Sequence, residues 1–297
     1  MSVTENQIEL LLDRIVVATD FTPESERVVS YASALAKHFA SQLTLVHVID
    51  LSVVTFSGAI DGGVLVDAMR HDSGENMHKA LRELSSIGLR VQGQVLEAHD
   101  PAGAILLFCD QQNADLLVIG THSRHGLRKI ILGSIAQDII HRAKCPVLTI
   151  GPNTKPVSSE KTSFSTILFA TGLQHDIAEK AATALAIAQD GVARIYMCHV
   201  LQDTGTNISE TLALQLEAEV ALRKLVPEAS YDWCCPEYVV ESGNVSDRIL
   251  KVVRDAGVDL IILGARRSSN WLDRLNEGVV EKVLAEADCP VMTLCTD

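Results

Sequence analysis

The chain has 297 residues, room for two domains of ordinary size, each long enough to bury its own core. Apolar residues make up 47% and charged residues 21%, which excludes disordered, collagen-like and low-complexity chains. Lys and Arg number 25 against 38 acids, a net −13 that argues against a DNA-backbone binder; 4% aromatics argue against a stacking platform for single strands.

The first residues, MSVTENQIELLLDRIVV, are acidic ahead of a short apolar stretch, so they do not read as a signal peptide. No apolar run reaches the ~18 residues of a membrane span, so no membrane is expected as a partner. In chain order, strands are predicted near 14–19, 43–49, 91–97, 115–120 and 146–150. Helices are predicted between them near 23–40, 64–87, 101–113 and 133–143. The first helix carries Val28, Ala32, Leu35, Ala36 and Phe39 on one face, and Pro23 sits at its start, where a missing N–H is harmless. The run Leu116–Ile119 is apolar on both faces, as a parallel strand covered by helices on both sides requires. The second half repeats the alternation, with strands near 166–171, 193–200, 237–241, 259–264 and 290–295.

The repeat is literal in places. Asp115-Leu-Leu-Val-Ile-Gly120 returns as Asp259-Leu-Ile-Ile-Leu-Gly264, and Cys145-Pro146-Val147 as Cys289-Pro290-Val291, both at an offset of 144. Ile15-Val-Val-Ala-Thr19 returns as Ile167-Leu-Phe-Ala-Thr171, and His47-Val48 as His199-Val200, at an offset of 152. The chain is therefore a duplicated domain whose second copy is eight residues shorter in its middle. The division is domain one at 1–151, a polar linker with two prolines at 152–163, and domain two at 164–297. Strand–helix alternation with right-handed crossovers predicts an α/β fold: two doubly wound, five-stranded parallel sheets.

In such sheets ligands bind at the carboxyl ends of the strands. Strand one of the first copy ends in Ala18-Thr19-Asp20, and strand four opens into Gly120–Ser134 before a helix. Gly133 and Ser134 begin that helix, where backbone N–H groups and the helix dipole favour a phosphate. Asp20 can accept from ribose hydroxyls or a base amino group; as a bland alternative it only caps the helix at Thr22-Pro23. If Asp20 and the loop share a site, strands one and four are neighbours and the order is 3-2-1-4-5. His47 and His199 lie in apolar strands and read as satisfied strand-end histidines. The seven cysteines lack regular spacing and read as reduced thiols of a cytoplasmic protein; no CxxC or HExxH pattern calls for a metal site. There is no GxSxG elbow, no GxxxxGK[ST] loop and no evident acid–base couple, so the chain is expected not to be an enzyme.

These features together resemble the universal stress protein family. The resemblance rests on Asp20 after strand one, on Val46-His47-Val48, and on a late signature of Gly, two residues, Gly, nine residues, Gly and Ser or Thr. Gly120, Gly133 and Ser134 fall in its register, followed by Ala143-Lys-Cys-Pro-Val-Leu148. Ser123 departs from the second Gly, and His99 stands where the second copy has Gly243. The resemblance implies a binding site for ATP or another adenine nucleotide, with or without Mg²⁺, and at most slow hydrolysis. Asp20 and the backbone of Ala18, Thr19 and Val48 would hold base and ribose. Gly120, His122, Ser123, Gly133, Ser134 and Ile135 would hold ribose and phosphates, with Arg124 in reach of a terminal phosphate. In the second copy Asp20 becomes Gly172, Ser123 becomes Arg267, Gly133 becomes Glu277 and Ser134 becomes Gly278. A carboxylate at that helix start repels phosphate, so the second site is expected to be degenerate. Segment 120–146 carries five basic residues and one acid, against four and five in 264–290, which points to the same asymmetry. The family also implies pairing of last strands, here an internal pseudo-dimer of 146–150 with 290–295, and two such chains could dimerise again. The competing readings are a nucleotide-free interaction module and a nucleotide hydrolase or transferase. Nucleic acid is not an expected partner, and no protein partner is named by the residues.

Overall fold

The computed structural model describes residues 12–56, 62–121, 132–157, 163–173, 177–202, 208–266 and 277–296. The first half runs β1 (Arg14–Ala18), α1 (Pro23–His38), β2 (Gln42–Asp50), α2 (Leu51–Phe56), α3 (Gly62–Ser86), β3 (Arg90–Ala98), α4 (Pro101–Gln112), β4 (Leu116–Gly120), α5 (Ser134–Arg142) and β5 (Val147–Ile150). The second half runs β6 (Thr166–Ala170), α6 (Ile177–Gly191), β7 (Arg194–Leu201), α7 (Ile208–Arg223), β8 (Glu237–Ser242), α8 (Val245–Ala256), β9 (Leu260–Arg266), α9 (Glu277–Glu286) and β10 (Val291–Thr296). Every expected strand is present. Short helix α2 was not expected: it begins at the end of β2, where Asp50 Oδ1 accepts from Ser52 N at 2.9 Å and from its hydroxyl at 2.6 Å.

The ten strands among the described residues form one sheet in the order β3-β2-β1-β4-β5-β10-β9-β6-β7-β8. The first domain has the expected order 3-2-1-4-5, and the second has the same order turned about. The pairs within each domain are parallel, and the junction is antiparallel: Val147 faces Thr293, Leu148 faces Met292 and Thr149 faces Val291. The last strands therefore pair as expected, which joins the two five-stranded halves without leaving an open edge between them.

Both faces of the sheet are covered, and each apolar layer runs across the junction. One contains Ile15, Val28, Leu35, Met77, Leu148, Phe169, Ala184 and Leu222, under α1, α3, α6 and α7. The other contains Val16, Ile105, Leu117, Ile139, Leu168, Ile249 and Leu284, under α4, α5, α8 and α9. This explains why β4 reads as an unbroken apolar run: Leu116, Leu117, Val118 and Ile119 are all buried, two to each layer. Helix starts follow local chemistry. Asp100 caps α4 by accepting from Gly103 N at 3.0 Å, and Asn244 caps α8 by accepting from Asp247 N at 3.2 Å.

Candidate functional site

The site is built at the end of β1. Beyond Ala18, Thr19 N donates to Val46 O at 2.9 Å, so the chain still follows β2. It then turns sharply. Phe21 has φ of 59°, the left-handed region, which costs energy for a bulky side chain. Three contacts hold it there. Phe21 N donates to Thr19 Oγ1 at 3.1 Å, His47 Nδ1 meets Thr19 O at 2.8 Å, and the Phe21 and His47 rings lie 4.8 Å apart. Asp20, at the apex, accepts on Oδ1 from Thr22 N at 3.1 Å and from the Thr22 hydroxyl at 2.6 Å. Thr22 in turn caps α1, its Oγ1 accepting from Ser25 N at 3.3 Å. The capping role of Asp20 is thus real but indirect.

Opposite, Gly133 N donates to Thr121 O at 2.9 Å, bringing the end of β4 to the start of α5. Gly133 is the N-cap of α5 and supplies no side-chain cap to its N–H groups. A Cβ at Gly120 would come within 3.1 Å of Val28 Cγ2, so this strand end lies close against α1.

Between these features lies a cavity of about 670 Å³. Of the expected site residues, Ala18, Thr19, Asp20, Val48, Gly120, Gly133 and Ile135 line it. Ser134 opens α5 beside them without lining the cavity. His122, Ser123 and Arg124 lie outside the described residues.

The cavity also has walls that sequence reasoning missed. Asp50 at the end of β2 and Met69, Asp72, Ser73 and Asn76 of α3 also line it. Ser73 is buried one turn before buried Met77, and that i, i+4 spacing was the available signal. Arg27, Gly151 and Pro152 contribute a further wall. The basic excess of segment 120–146 does not all serve the cavity. Arg142 and Lys144 face α4 instead of the cavity, pairing with Asp100 at 3.5 Å and Asp110 at 2.5 Å; Arg124, Arg128 and Lys129 lie outside the described residues.

The second copy keeps the turn and changes what it presents. Leu173 has φ of 55°, its N donates to Thr171 Oγ1 at 3.1 Å, and His199 Nδ1 meets Thr171 O at 2.8 Å. Gly172 replaces Asp20 at the apex. Lys180, buried to 7% exposure, takes the place of Val28 beside Gly264. Among the described residues no cluster of three or more His, Cys, Asp or Glu could hold a metal ion, and no helix is long and apolar enough to cross a membrane.

Comparison with known proteins gives two matches to one family model, described as the universal stress protein family, over residues 12–151 and 163–294. Universal stress protein MJ0531 of Methanocaldococcus jannaschii is 31% identical over 143 residues, covering 48% of this chain and 84% of that protein. The crystal structure of a universal stress protein from Archaeoglobus fulgidus superposes over 97% of both chains with a TM-score of 0.73 at 16% identity, a likeness of fold. A further structure, the universal stress protein from Archaeoglobus fulgidus in complex with dAMP, is 25% identical and aligns with 47% of this chain and 98% of its own at a TM-score of 0.36.

Proposed function

The chain belongs to the universal stress protein family in two copies, and on that premise we propose that it is a stress-response protein whose first domain, residues 1–151, binds an adenine nucleotide, ATP foremost. The second domain, residues 164–297, has the role of a structural and interaction partner with a degenerate site. The observation that carries this reading is the 670 Å³ cavity, which is lined both by Asp20 and by Gly133 at the start of α5. Its volume lies within the ~300–1,000 Å³ of small-molecule sites. Asp20 and the backbone of Ala18, Thr19 and Val48 suit the base and ribose. The amides of Gly120, Gly133, Ser134 and Ile135 suit ribose and phosphates, and the family resemblance assigns His122, Ser123 and Arg124 to the same groups. Mg²⁺ would accompany the phosphates. The chemistry offered is recognition of a ligand, not turnover.

A nucleotide-free interaction module is the second reading. It is favoured by the four carboxylates on the cavity wall, Asp20, Glu24, Asp50 and Asp72, which would resist an anion. Titration calorimetry with ATP separates the two. The expected result is one ATP per chain in wild type and none after Gly133→Glu, which writes the second copy's Glu277 into the first. Two sites per chain would refute the degeneracy of the second domain, and no heat in wild type would refute nucleotide binding.

A further inference from the structure

The first residues after β5 connect the cavity to the second domain. Gly151 to Lys155 form a tight turn: Gly151 N donates to Thr154 Oγ1 at 2.9 Å, and Thr154 N to Gly151 O at 3.3 Å. The turn is gripped from both domains. From the first, Arg27 Nη1 donates to Pro152 O at 3.2 Å, Arg27 Nη2 to Thr154 O, and the Tyr31 hydroxyl to Lys155 O. Arg27 and Tyr31 are four residues apart on α1 and so share one face of the helix. From the second domain, Ala285 O accepts from Asn153 Nδ2 at 3.0 Å, and Asp288 O accepts from Lys155 N at 3.0 Å. The Asp288 carboxylate pairs with Lys155 Nζ at 2.6 Å. A Cβ on Gly151 would come within 2.8 Å of Leu284 O, so the turn lies directly against α9.

Arg27 also lines the cavity, where it is the one guanidinium or ammonium group among the described lining residues. A guanidinium has five N–H groups, and the linker carbonyls engage two of its nitrogens. We propose that Arg27 is shared between ligand and linker, so that occupancy of the first-domain cavity is coupled to the grip of the linker on the second domain. The proposal rests on the nucleotide reading above, because it requires an anionic ligand in that cavity. The sign is positive. The linker holds the long Arg27 side chain in place, so its ordering cost falls on folding and not on binding. By reciprocity, a phosphate on Arg27 steadies the guanidinium that grips the linker.

The test is a double-mutant cycle read by calorimetry with ATP. Arg27→Ala removes the shared group; Asn153→Ala with Asp288→Ala loosens the grip from the second-domain side without altering a cavity-lining residue. Expected are a Kd raised about tenfold by Arg27→Ala and about fivefold by the linker pair, the low end of ordinary coupling. In the Arg27→Ala background the linker pair should change Kd by less than about twofold. Thermal unfolding of each variant separates a lost fold from lost coupling. If a variant does not fold, hydrogen exchange of wild-type residues 283–288 supplies the reading, with slower exchange expected when ATP is bound. Wild-type affinity in the linker pair, an undiminished effect without Arg27, or exchange unchanged by ATP overturns the coupling alone. No binding by wild type overturns the nucleotide reading and the coupling together.

Discussion

Asp20 supports the cap of α1 and, in the proposed site, also meets the ligand, and two substitutions pull these roles apart. Its Oδ1 accepts from Thr22 N and the Thr22 hydroxyl, and Thr22 caps α1. Asp20→Ala removes both bonds and leaves Thr22 less well placed, at a cost of about 1–2 kcal/mol of stability, the value of a lost bond or cap. Asp20→Asn keeps a carbonyl oxygen in the Oδ1 position, so its stability should lie within about 0.5 kcal/mol of wild type. Binding should divide differently. A ligand hydroxyl or amino group donating to a carboxylate is a charge-assisted bond, worth about 1.5–3 kcal/mol. Asn loses the charge, so both variants should bind ATP more weakly, by about tenfold or more. Urea unfolding gives the first quantity and calorimetry the second. If Asp20→Asn binds ATP within twofold of wild type while Asp20→Ala is merely unstable, then Asp20 is only the support of a cap, and the ligand role assigned to it is wrong.

Burial pushes the Tyr31 phenol up from 10.0 to about 12, so between those pH values the unfolded chain releases a proton that the folded chain keeps. Its contribution is fully present below pH 10 and is lost as pH climbs toward 12; the loss is on the order of 2 kcal/mol. Tyr31→Phe should flatten that part of the stability–pH curve in urea titrations, and an unchanged slope would refute the assignment. Leu148 is fully buried at the strand junction opposite Met292, so Leu148→Ala should cost about 3 kcal/mol. Both tryptophans, Trp233 and Trp271, lie in the second half, and their fluorescence should shift together with far-ultraviolet circular dichroism in this first-half variant. A fluorescence transition left at its wild-type position would mean that the ten strands do not unfold as one unit.

The duplication and the strand order were legible because they leave literal traces. Cys145-Pro-Val147 and Cys289-Pro-Val291 match letter for letter, Asp115–Gly120 and Asp259–Gly264 share their first two residues, their final glycine and an apolar pattern between, and a strand buried on both faces must be apolar at every position. The turn at Phe21 left no trace, since neither Phe nor Leu is a residue that propensity places at positive φ. Tertiary contacts decide it: Thr19 Oγ1 and the His47 ring hold the conformation, and His47 is 26 positions further along the chain. Arg27 was invisible for a different reason. Its partners are backbone carbonyls of residues 152 and 154, which carry no side-chain code. The basic excess of segment 120–146 shows the limit of counting charges within a segment, because the acids that answer Arg142 and Lys144, Asp100 and Asp110, lie outside it.

The two copies together show which parts of the strand-end turn serve the fold. Both retain the left-handed residue, the threonine hydroxyl that receives its N–H, and the histidine that meets the threonine carbonyl. These bonds answer backbone groups where the chain leaves the sheet, a requirement that holds whether or not a ligand is present. What differs is the apex and the wall: Asp20 against Gly172, and Val28 against Lys180. Neither exchange touches the conserved bonds of the turn. The antiparallel pairing of β5 with β10 keeps both copies in one sheet. A change of ligand-facing residues in one copy therefore leaves the shared core and the junction intact. Restoring a carboxylate at the second apex by Gly172→Asp should accordingly be tolerated by the fold yet create no ATP site, because Lys180 still fills the place of Val28 beside Gly264 and Glu277 still begins α9.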